Sequence, residues 1–490
     1  MATKTLYIET MGCQMNVLDS ELVAGQLRRA GYQATDDMTA ADVVLINTCS
    51  VRGHAEDKAL SRLGQLKKPK QEHPGKIVGV MGCMAERDPD GIVARMPHVD
   101  LICGPGELHR IPSMIDDVQS TRQRAIALSQ GLSRKSSLLQ RATEYDSVEA
   151  LDLAREPDPN DDALQAYIRV QRGCDKFCTF CVVPFTRGPE RCRPADQIVD
   201  EAKMLVDRGT KEITLLGQTV NSYLHVENGN PVPFAELLAR VDAVPGLERL
   251  RFVTSYPGDF CDEIFQAMRD LPTVCEYLHL PVQSGSDAVL KRMRRQYSVS
   301  RFEELIHQAR QVVPGITLAT DIIVGFSGET EAEFAETCAL VERGRFKNIF
   351  CFKYSERPAT VAQKRMPDDV PNDVKRRRNN QLLAVQQRVS LENNHAMIGR
   401  TVDVLVEGYS KAAIKAQEAE QTRGQEVDWR HSDQLVGRTR GDQIVVFNAP
   451  ADLIGQLVPI KITSATALTL FGDPADVPAP NGPVSLPVVD

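Results

Sequence analysis

Apolar positions follow three regimes along the chain. From the start to about residue 118, short apolar runs alternate with amphipathic stretches. The runs are TLYIE (Thr5 to Glu9), VVLIN (Val43 to Asn47), KIVGVM (Lys76 to Met81) and VDLIC (Val99 to Cys103). β-rich runs separated by helical-period segments predict a parallel α/β sheet. Between about 120 and 163 the sequence turns polar and irregular, ending in REPDPNDD, and reads as a linker with room for one helix.

From 164 the strand-then-helix pattern returns. The strand candidates are AYIRVQ (Ala166 to Gln171), EITLLG (Glu212 to Gly217), LRFVT (Leu250 to Thr254), YLHLPV (Tyr277 to Val282), TLATDIIVGF (Thr317 to Phe326) and IFCFKY (Ile349 to Tyr354). Six such units predict an incomplete (β/α)6 barrel, followed by a helix from Val374 to about Ala396. Beyond about 392, TVDVLVEGY, QLVGRTR, QIVVFNA and LVPIKITSATALTLFG are short runs with turn signals, which predicts a small β-barrel. The tail is Pro-rich and reads as disordered. The expected segments are therefore 1–120, a linker over 121–163, 164–392, 393–472 and a tail over 473–490, all within an α/β class.

Composition narrows the function classes. The 490 residues are 42% hydrophobic and 25% charged, as in a soluble globular chain of about three domains. No apolar run approaches the roughly 20 residues of a membrane span, and MATKTLYIET carries no signal-peptide pattern. The expectation is a cytoplasmic monomer with no membrane partner. Thiols stay reduced there, so the twelve cysteines read as metal ligands and core residues rather than disulfides. A net charge of −8 does not announce a nucleic-acid binder. KRMRR (Lys291 to Arg295) and KRRR (Lys375 to Arg378) are local exceptions, most simply solvated helix faces.

Cysteine spacing carries the chemistry. GCDKFCTFC holds Cys174, Cys178 and Cys181 as Cys-x3-Cys-x2-Cys, directly after the first barrel strand. Loops at the carboxyl ends of barrel strands form the catalytic face. Three thiolates are one short of a closed zinc or iron–sulfur site, and Cys192 is the nearest candidate fourth ligand. Polar or glycine residues follow the other strands in LGQTVNSY, TSYP, LPVQSGSD, DIIVGFSGET and YSERPAT. Gly217, Gln218, Thr254, Ser255, Gln283, Ser284 and Gly325 are thus candidates to line a small-molecule site. A second trio, Cys13, Cys49 and Cys83, follows three strands of the N-terminal sheet. The strand ends of a parallel sheet share one edge, so these thiols can converge.

The motifs MGCQMN, INTCSVR, GCMAER, CDKFCTFCVVPFTRGPE, LPVQSGSD and DIIVGFSGET together resemble the radical S-adenosylmethionine (SAM) methylthiotransferase family, over residues 4 to about 472. The resemblance implies two 4Fe–4S clusters, each held by three cysteines: Cys174, Cys178 and Cys181 for one, Cys13, Cys49 and Cys83 for the other. It implies SAM on the open iron of the first, reductive cleavage to a 5′-deoxyadenosyl radical, and sulfur insertion from the second. It makes the last segment a TRAM domain, an RNA-binding module. Relatives carry Ser where Cys192 stands, which makes Cys192 a spare thiol, and no ligand is expected at Cys103.

Within that family, the DKF and TRGPE residues resemble the branch acting at C2 of N6-isopentenyladenosine beside the tRNA anticodon. Other branches act on threonylcarbamoyl-adenosine in tRNA or on a ribosomal-protein aspartate. The rival of a different class is a two-cluster electron-transfer protein, with four ligands per cluster and no affinity for SAM. The implied partners are the tRNA anticodon loop, an electron donor such as flavodoxin or ferredoxin, and a sulfur donor. Residues 393–472 hold eight Lys/Arg against nine Asp/Glu, so an RNA face depends on local placement. Lys411, Lys415, Arg438 and Arg440, with Lys291, Arg292, Arg294 and Arg295 on the barrel, are the candidates for phosphate contacts.

Overall fold

The apolar runs Val43–Thr48 and Ile77–Gly82 are buried at every position, which requires cover on both faces of their sheet. The computed structural model describes residues 4–50, 53–129, 151–152, 155, 163–423 and 433–475. Most of the expected linker, and the tail beyond 475, lie outside the described residues. The N-terminal strands are β1 (Lys4–Thr10), β2 (Tyr32–Ala34), β3 (Val43–Thr48), β4 (Ile77–Gly82), β5 (Leu101–Cys103) and β6 (Ala125–Ala127). They form one parallel sheet in the order β2-β1-β3-β4-β5-β6. Helices Gln14–Arg29 and Ile111–Thr121 cover one face around Leu18, Leu22 and Met114. Helix Gly53–Gln65 and short helices Cys83–Arg87 and Pro89–Arg95 cover the other, around Leu63, Met84 and Ile92. Edge strands β2 and β6 have three residues each and too little apolar pattern to be read from sequence. Strand β6 falls where a linker was expected.

The middle of the chain contributes β7 (Gln165–Arg169), β8 (Gln171–Arg172), β9 (Arg191–Cys192), β10 (Glu212–Leu216), β11 (Leu224–Glu227), β12 (Asn230–Pro233), β13 (Arg249–Phe252), β14 (Tyr277–His279), β15 (Thr317–Val324) and β16 (Asn348–Lys353). Strands β7, β10 and β13 pair in parallel in chain order, and β14, β15 and β16 continue the arc. The halves join where Leu250 bridges Val274 and Cys275 N–H donates to the Leu250 carbonyl at 2.9 Å. All six expected barrel strands are present. The small ribbons β8–β9 and β11–β12 are additions with no sequence signal of their own.

The N-terminal sheet and this barrel form one compact unit, residues 1–344 with 349–383. Tyr167, Leu216 and Val253 of the barrel pack into the apolar cluster beneath the sheet. Charge joins them as well. Asp19, on the first helix, is fully buried and accepts from Arg169 Nη1 and Arg187 Nη2, both at 2.9 Å. Arg169 also meets Asp152 at 2.6 Å.

The second unit comprises residues 345–348 and 384–490. Its strands β17 (Thr401–Tyr409), β18 (Gln434–Thr439), β19 (Ile444–Asn448), β20 (Leu457–Ala465) and β21 (Thr469–Pro474) close into a barrel in the order β17-β18-β19-β21-β20. The long run LVPIKITSATALTLFG divides at Thr466, whose hydroxyl accepts from Thr469 N–H at 3.1 Å. A helix, Lys411–Arg423, enters after β17 and starts on the Ser410 hydroxyl, which accepts from Ala413 N–H at 3.1 Å. Within this unit Lys347 pairs with Asp442, and Gln386 donates to the Phe346 carbonyl at 2.8 Å. Among the described residues no helix is long and apolar enough to cross a membrane.

Candidate functional site

Three N-terminal strand ends bring Cys13, Cys49 and Cys83 to one edge. Gly12 makes the first approach possible. Its φ is +135°, and a Cβ there would stand 2.6 Å from the Cys49 Cβ. Gly82, at φ +95°, leaves no room for a Cβ, which would fall 2.5 Å from both Asn47 Oδ1 and the Thr48 carbonyl. Buried amides lock the loops: Asn16 Nδ2 donates to Asn47 Oδ1 at 3.0 Å and to the Thr48 carbonyl at 2.9 Å, and Asn47 donates to the Asn16 carbonyl at 2.8 Å. Hydrogen bonding to Cys49 pulls the Cys13 thiol down to about 6, against burial. Burial raises Cys83, opposed by the Arg187 charge.

Arg187 joins the two cysteine groups. It follows the short helix Val183–Thr186, which begins two residues after Cys181. Its guanidinium donates to Asp19 at 2.9 Å and to Asn16 Oδ1 at 3.1 Å, beside Cys13 and Cys83. A single segment therefore carries two thiols of the barrel trio and a cation standing at the sheet-edge trio.

The barrel trio lies on the loop after β8. Gly173, at φ +80°, packs so tightly on Pro189 that a Cβ would be 1.9 Å from its carbonyl oxygen. Burial pushes the Cys174 and Cys181 thiols up to about 12. Cys178 Sγ accepts from Arg295 Nη1 at 3.4 Å. Thr179 N–H donates to the Met293 carbonyl at 3.0 Å, and its hydroxyl to the Arg292 carbonyl at 2.9 Å.

The strand-end candidates divide. Gln218 Oε1 accepts from Gly173 N–H, which ties the trio loop to β10. Gly217 stands against Gln171, its position for a Cβ 3.1 Å from Gln171 Oε1. Thr254 and Gln283 adopt φ of 67° and 78°, left-handed values unusual away from glycine that cluster at functional sites. The Ser255 hydroxyl and Gln171 Nε2 are buried with no hydrogen-bond partner among the described residues. Ser284 and Gly325 already have partners within the protein. Ser284 is fully buried, with its hydroxyl 3.3 Å from that of Thr337 and accepting from Ser286 N–H. Gly325 N–H is engaged by Glu329 at 2.6 Å, and a Cβ at Gly325 would strike Lys375 Cγ at 2.4 Å.

The reading of KRRR as a solvated helix face is corrected at Lys375 and Arg378, which are buried, and several other basic candidates have partners of their own. Arg292 forms a two-pronged pair with Glu333, both contacts 2.9 Å. Arg295 is turned inward onto Cys178, Lys375 pairs with Asp368, and Arg378 meets Glu329 at 2.8 Å. Arg438 meets Glu407 at 3.1 Å and Asp442 at 2.8 Å. Lys411 and Lys415 are exposed on the Lys411–Arg423 helix. Cys103 is fully buried, and burial raises its thiol well above the ordinary value. Cys192 sits on the β8–β9 ribbon, where its sulfur accepts from Leu224 N–H at 3.4 Å.

Among the described residues no three His, Cys, Asp or Glu side chains are already gathered closely enough to hold a metal ion. Thiolates are soft donors, the type that iron–sulfur clusters take, and in that respect the barrel trio fits such a group. The orphaned Gln171 and Ser255 groups suit a polar ligand beside the barrel trio.

Comparisons with known proteins agree with this architecture. Residues 5–104 match the uncharacterized protein family UPF0004, residues 168–341 the radical SAM superfamily, and residues 425–475 the TRAM domain. Among solved structures, a radical S-adenosylmethionine methyltransferase, TsrM, from Kitasatospora setae shares the fold at a TM-score of 0.52. The match is 14% identical and covers 74% of each chain. Three curated relatives are each named tRNA-2-methylthio-N(6)-dimethylallyladenosine synthase. That from Rhodopirellula baltica is 48% identical, covering 96% of this chain and 95% of the relative. Those from Thermoanaerobacter sp. (strain X514) and Bacteroides fragilis (strain YCH46) are 40% and 41% identical, covering 97% and 96% of this chain and 94% and 95% of theirs. With such identity along nearly its whole length, the chain belongs to the tRNA-2-methylthio-N(6)-dimethylallyladenosine synthase family of radical SAM enzymes.

Proposed function

We infer that the chain adds a methylthio group to C2 of N6-isopentenyladenosine beside the anticodon of tRNA, using SAM and two 4Fe–4S clusters. Cys174, Cys178 and Cys181 are the proposed ligands of the SAM-binding cluster; Cys13, Cys49 and Cys83 those of the second. The observation that carries the two-cluster reading is Arg187, which belongs to the barrel-trio segment yet has its guanidinium at the sheet-edge trio. Two sites joined in this way can serve one substrate. C2 of adenine offers neither an acidic proton nor a leaving group, and the bound clusters and SAM supply the radical chemistry and sulfur that acid–base groups cannot.

The chain's own residues do the holding. Gln218 fixes the start of the trio loop through Gly173, and Thr179 fixes its middle. Gln171, Ser255, Thr254 and Gln283 are proposed to orient SAM. The base enters as an unpaired, flipped-out nucleotide. Lys411 and Lys415 are proposed phosphate contacts. Electron balance calls for an external one-electron donor such as flavodoxin or ferredoxin, and atom balance for a sulfur source.

The test has two arms. Anaerobically reconstituted protein should release 5′-deoxyadenosine from SAM; Cys174→Ala should abolish this and Cys192→Ser should leave it intact. Loss in Cys192→Ser would mean a closed four-thiolate cluster. Mass spectrometry of tRNA nucleosides from a deletion strain should show the methylthio-isopentenyl nucleoside missing. Its persistence, with loss of a methylthiolated threonylcarbamoyl-adenosine or ribosomal aspartate instead, would reassign the substrate.

A further inference from the structure

We propose that Arg295 is a positioning residue that favours the one-electron-reduced state of the cluster at Cys174, Cys178 and Cys181. This rests on the ligand assignment above and extends it to a residue outside the cysteine motif.

The segment carrying Arg295 is built against the trio loop. Helix Asp287–Arg292 ends, and Arg294, at φ 58°, turns the chain back. The two preceding carbonyls, of Arg292 and Met293, accept from Thr179, between Cys178 and Cys181. The side chain is then fixed along its length. Its guanidinium carbon lies 4.7 Å from the Tyr256 ring centre and 5.0 Å from that of Tyr297. These two rings pack edge to face at 5.8 Å. Arg295 Nε donates to the Tyr297 hydroxyl at 2.7 Å and Nη2 to the Pro281 carbonyl at 2.9 Å. Nη1 points at Cys178 Sγ, 3.4 Å away. The Tyr297 hydroxyl donates to the Val282 carbonyl at 2.9 Å, one residue before the left-handed Gln283.

What separates this arginine from Arg292 and Arg187 is the missing counter-charge. Arg292 meets Glu333, and Arg187 meets Asp19. Among the described residues no carboxylate pairs with Arg295; rings, a hydroxyl, a carbonyl and the Cys178 sulfur surround it. Its positive charge is therefore left to act on whatever the sulfur binds. Reduction adds one negative charge to a cluster. A fixed cation with an N–H aimed at a ligand sulfur stabilises the reduced form more than the oxidised one. Aromatic faces hold the cation without neutralising it.

The full-length chain carrying Cys13→Ala, Cys49→Ala and Cys83→Ala leaves one cluster to titrate. It is reconstituted anaerobically, and its iron content and midpoint potential are measured by EPR with Arg295 intact, in Arg295→Met and in Arg295→Lys. At a fixed poise the reduced-to-oxidised ratio should fall about tenfold in Arg295→Met, a shift of about −59 mV for a one-electron couple. Arg295→Lys, which keeps the charge, should shift less than half as far. Tyr297→Phe, which removes the Nε acceptor, should give a smaller negative shift with full iron. An unshifted midpoint in Arg295→Met, or in Tyr297→Phe if the Met variant does not load iron, overturns the proposal. If the parent with Arg295 intact loads no iron, or SAM leaves its reduced spectrum unchanged, the ligand assignment itself fails and the proposal falls with it.

Discussion

Asp19→Asn tests what holds the sheet against the barrel. Asp19 accepts from Arg169 and Arg187, each at 2.9 Å, and its side chain is wholly buried. Each pair, at roughly 4 Å between charge centres, gains about 4 kcal/mol at an effective dielectric of 20. Removing the charge forfeits about 8 kcal/mol of attraction by that estimate. It also returns the several kcal/mol that desolvating the carboxylate had cost, which leaves a net loss of about 3–5 kcal/mol. Arg169 retains Asp152 at 2.6 Å, whereas Arg187 has no other carboxylate partner among the described residues. Asp152→Asn should therefore cost less than Asp19→Asn. In urea unfolding followed by circular dichroism, with m of about 3 kcal/mol/M, the Asp19→Asn midpoint should drop by roughly 1–1.7 M. A drop below about 0.3 M at unchanged m would mean that the two arginines find other compensation, and the clamp would be refuted.

Four further outcomes follow from local geometry and charge. Gly12→Ala places a Cβ 2.6 Å from that of Cys49 at a φ of +135°. It should cost about 1–3 kcal/mol in thermal unfolding and lower the iron bound at the sheet-edge trio while sparing the barrel trio. Arg292→Ala should weaken stability without changing the slope of log Kd for tRNA against log salt, because its guanidinium is engaged by Glu333. Lys411→Ala or Lys415→Ala should reduce that slope by about 1 each if these lysines meet phosphates. Glu86 is pushed from 4.5 up to about 7, mainly by burial. The folded state thus binds more protons than the unfolded state in that window, and Glu86 makes stability fall as pH rises from 4.5 to 7. Glu86→Gln should flatten that part of the stability–pH curve, and an unchanged curve would reject the assignment.

The strand pattern was legible because burial on both faces writes itself as continuous apolar runs. Val43–Thr48 and Ile77–Gly82 have no exposed position to interrupt the signal. Strand β6 was missed because three residues at a sheet edge, one of them buried, leave no period to detect. The cysteine groups were legible because thiol spacing is a chemical pattern as well as a structural one. Arg295 and Arg187 were not. Spacing marks a basic cluster but does not say that Arg295 turns inward onto a sulfur while Lys291 and Arg294, beside it, stay exposed. Arg169 and Asp19 are 150 positions apart, and no local pattern joins them. Ser284 and Gly325 show what a strand-end pattern leaves open, since a polar or glycine residue after a strand can equally face the helix behind it.

Arg187 also bears on how this chain can be rearranged by recombination. Asp19 and Asn16 belong to the sheet domain, while Arg169 and Arg187 belong to the barrel, and the four meet as one buried set. A chimera that takes one domain from this chain and the other from a distant homologue would inherit half of that set. Crossovers at the 121–163 stretch succeed only between parents whose Asp19, Asn16, Arg169 and Arg187 equivalents match, so the two domains are constrained to be inherited together.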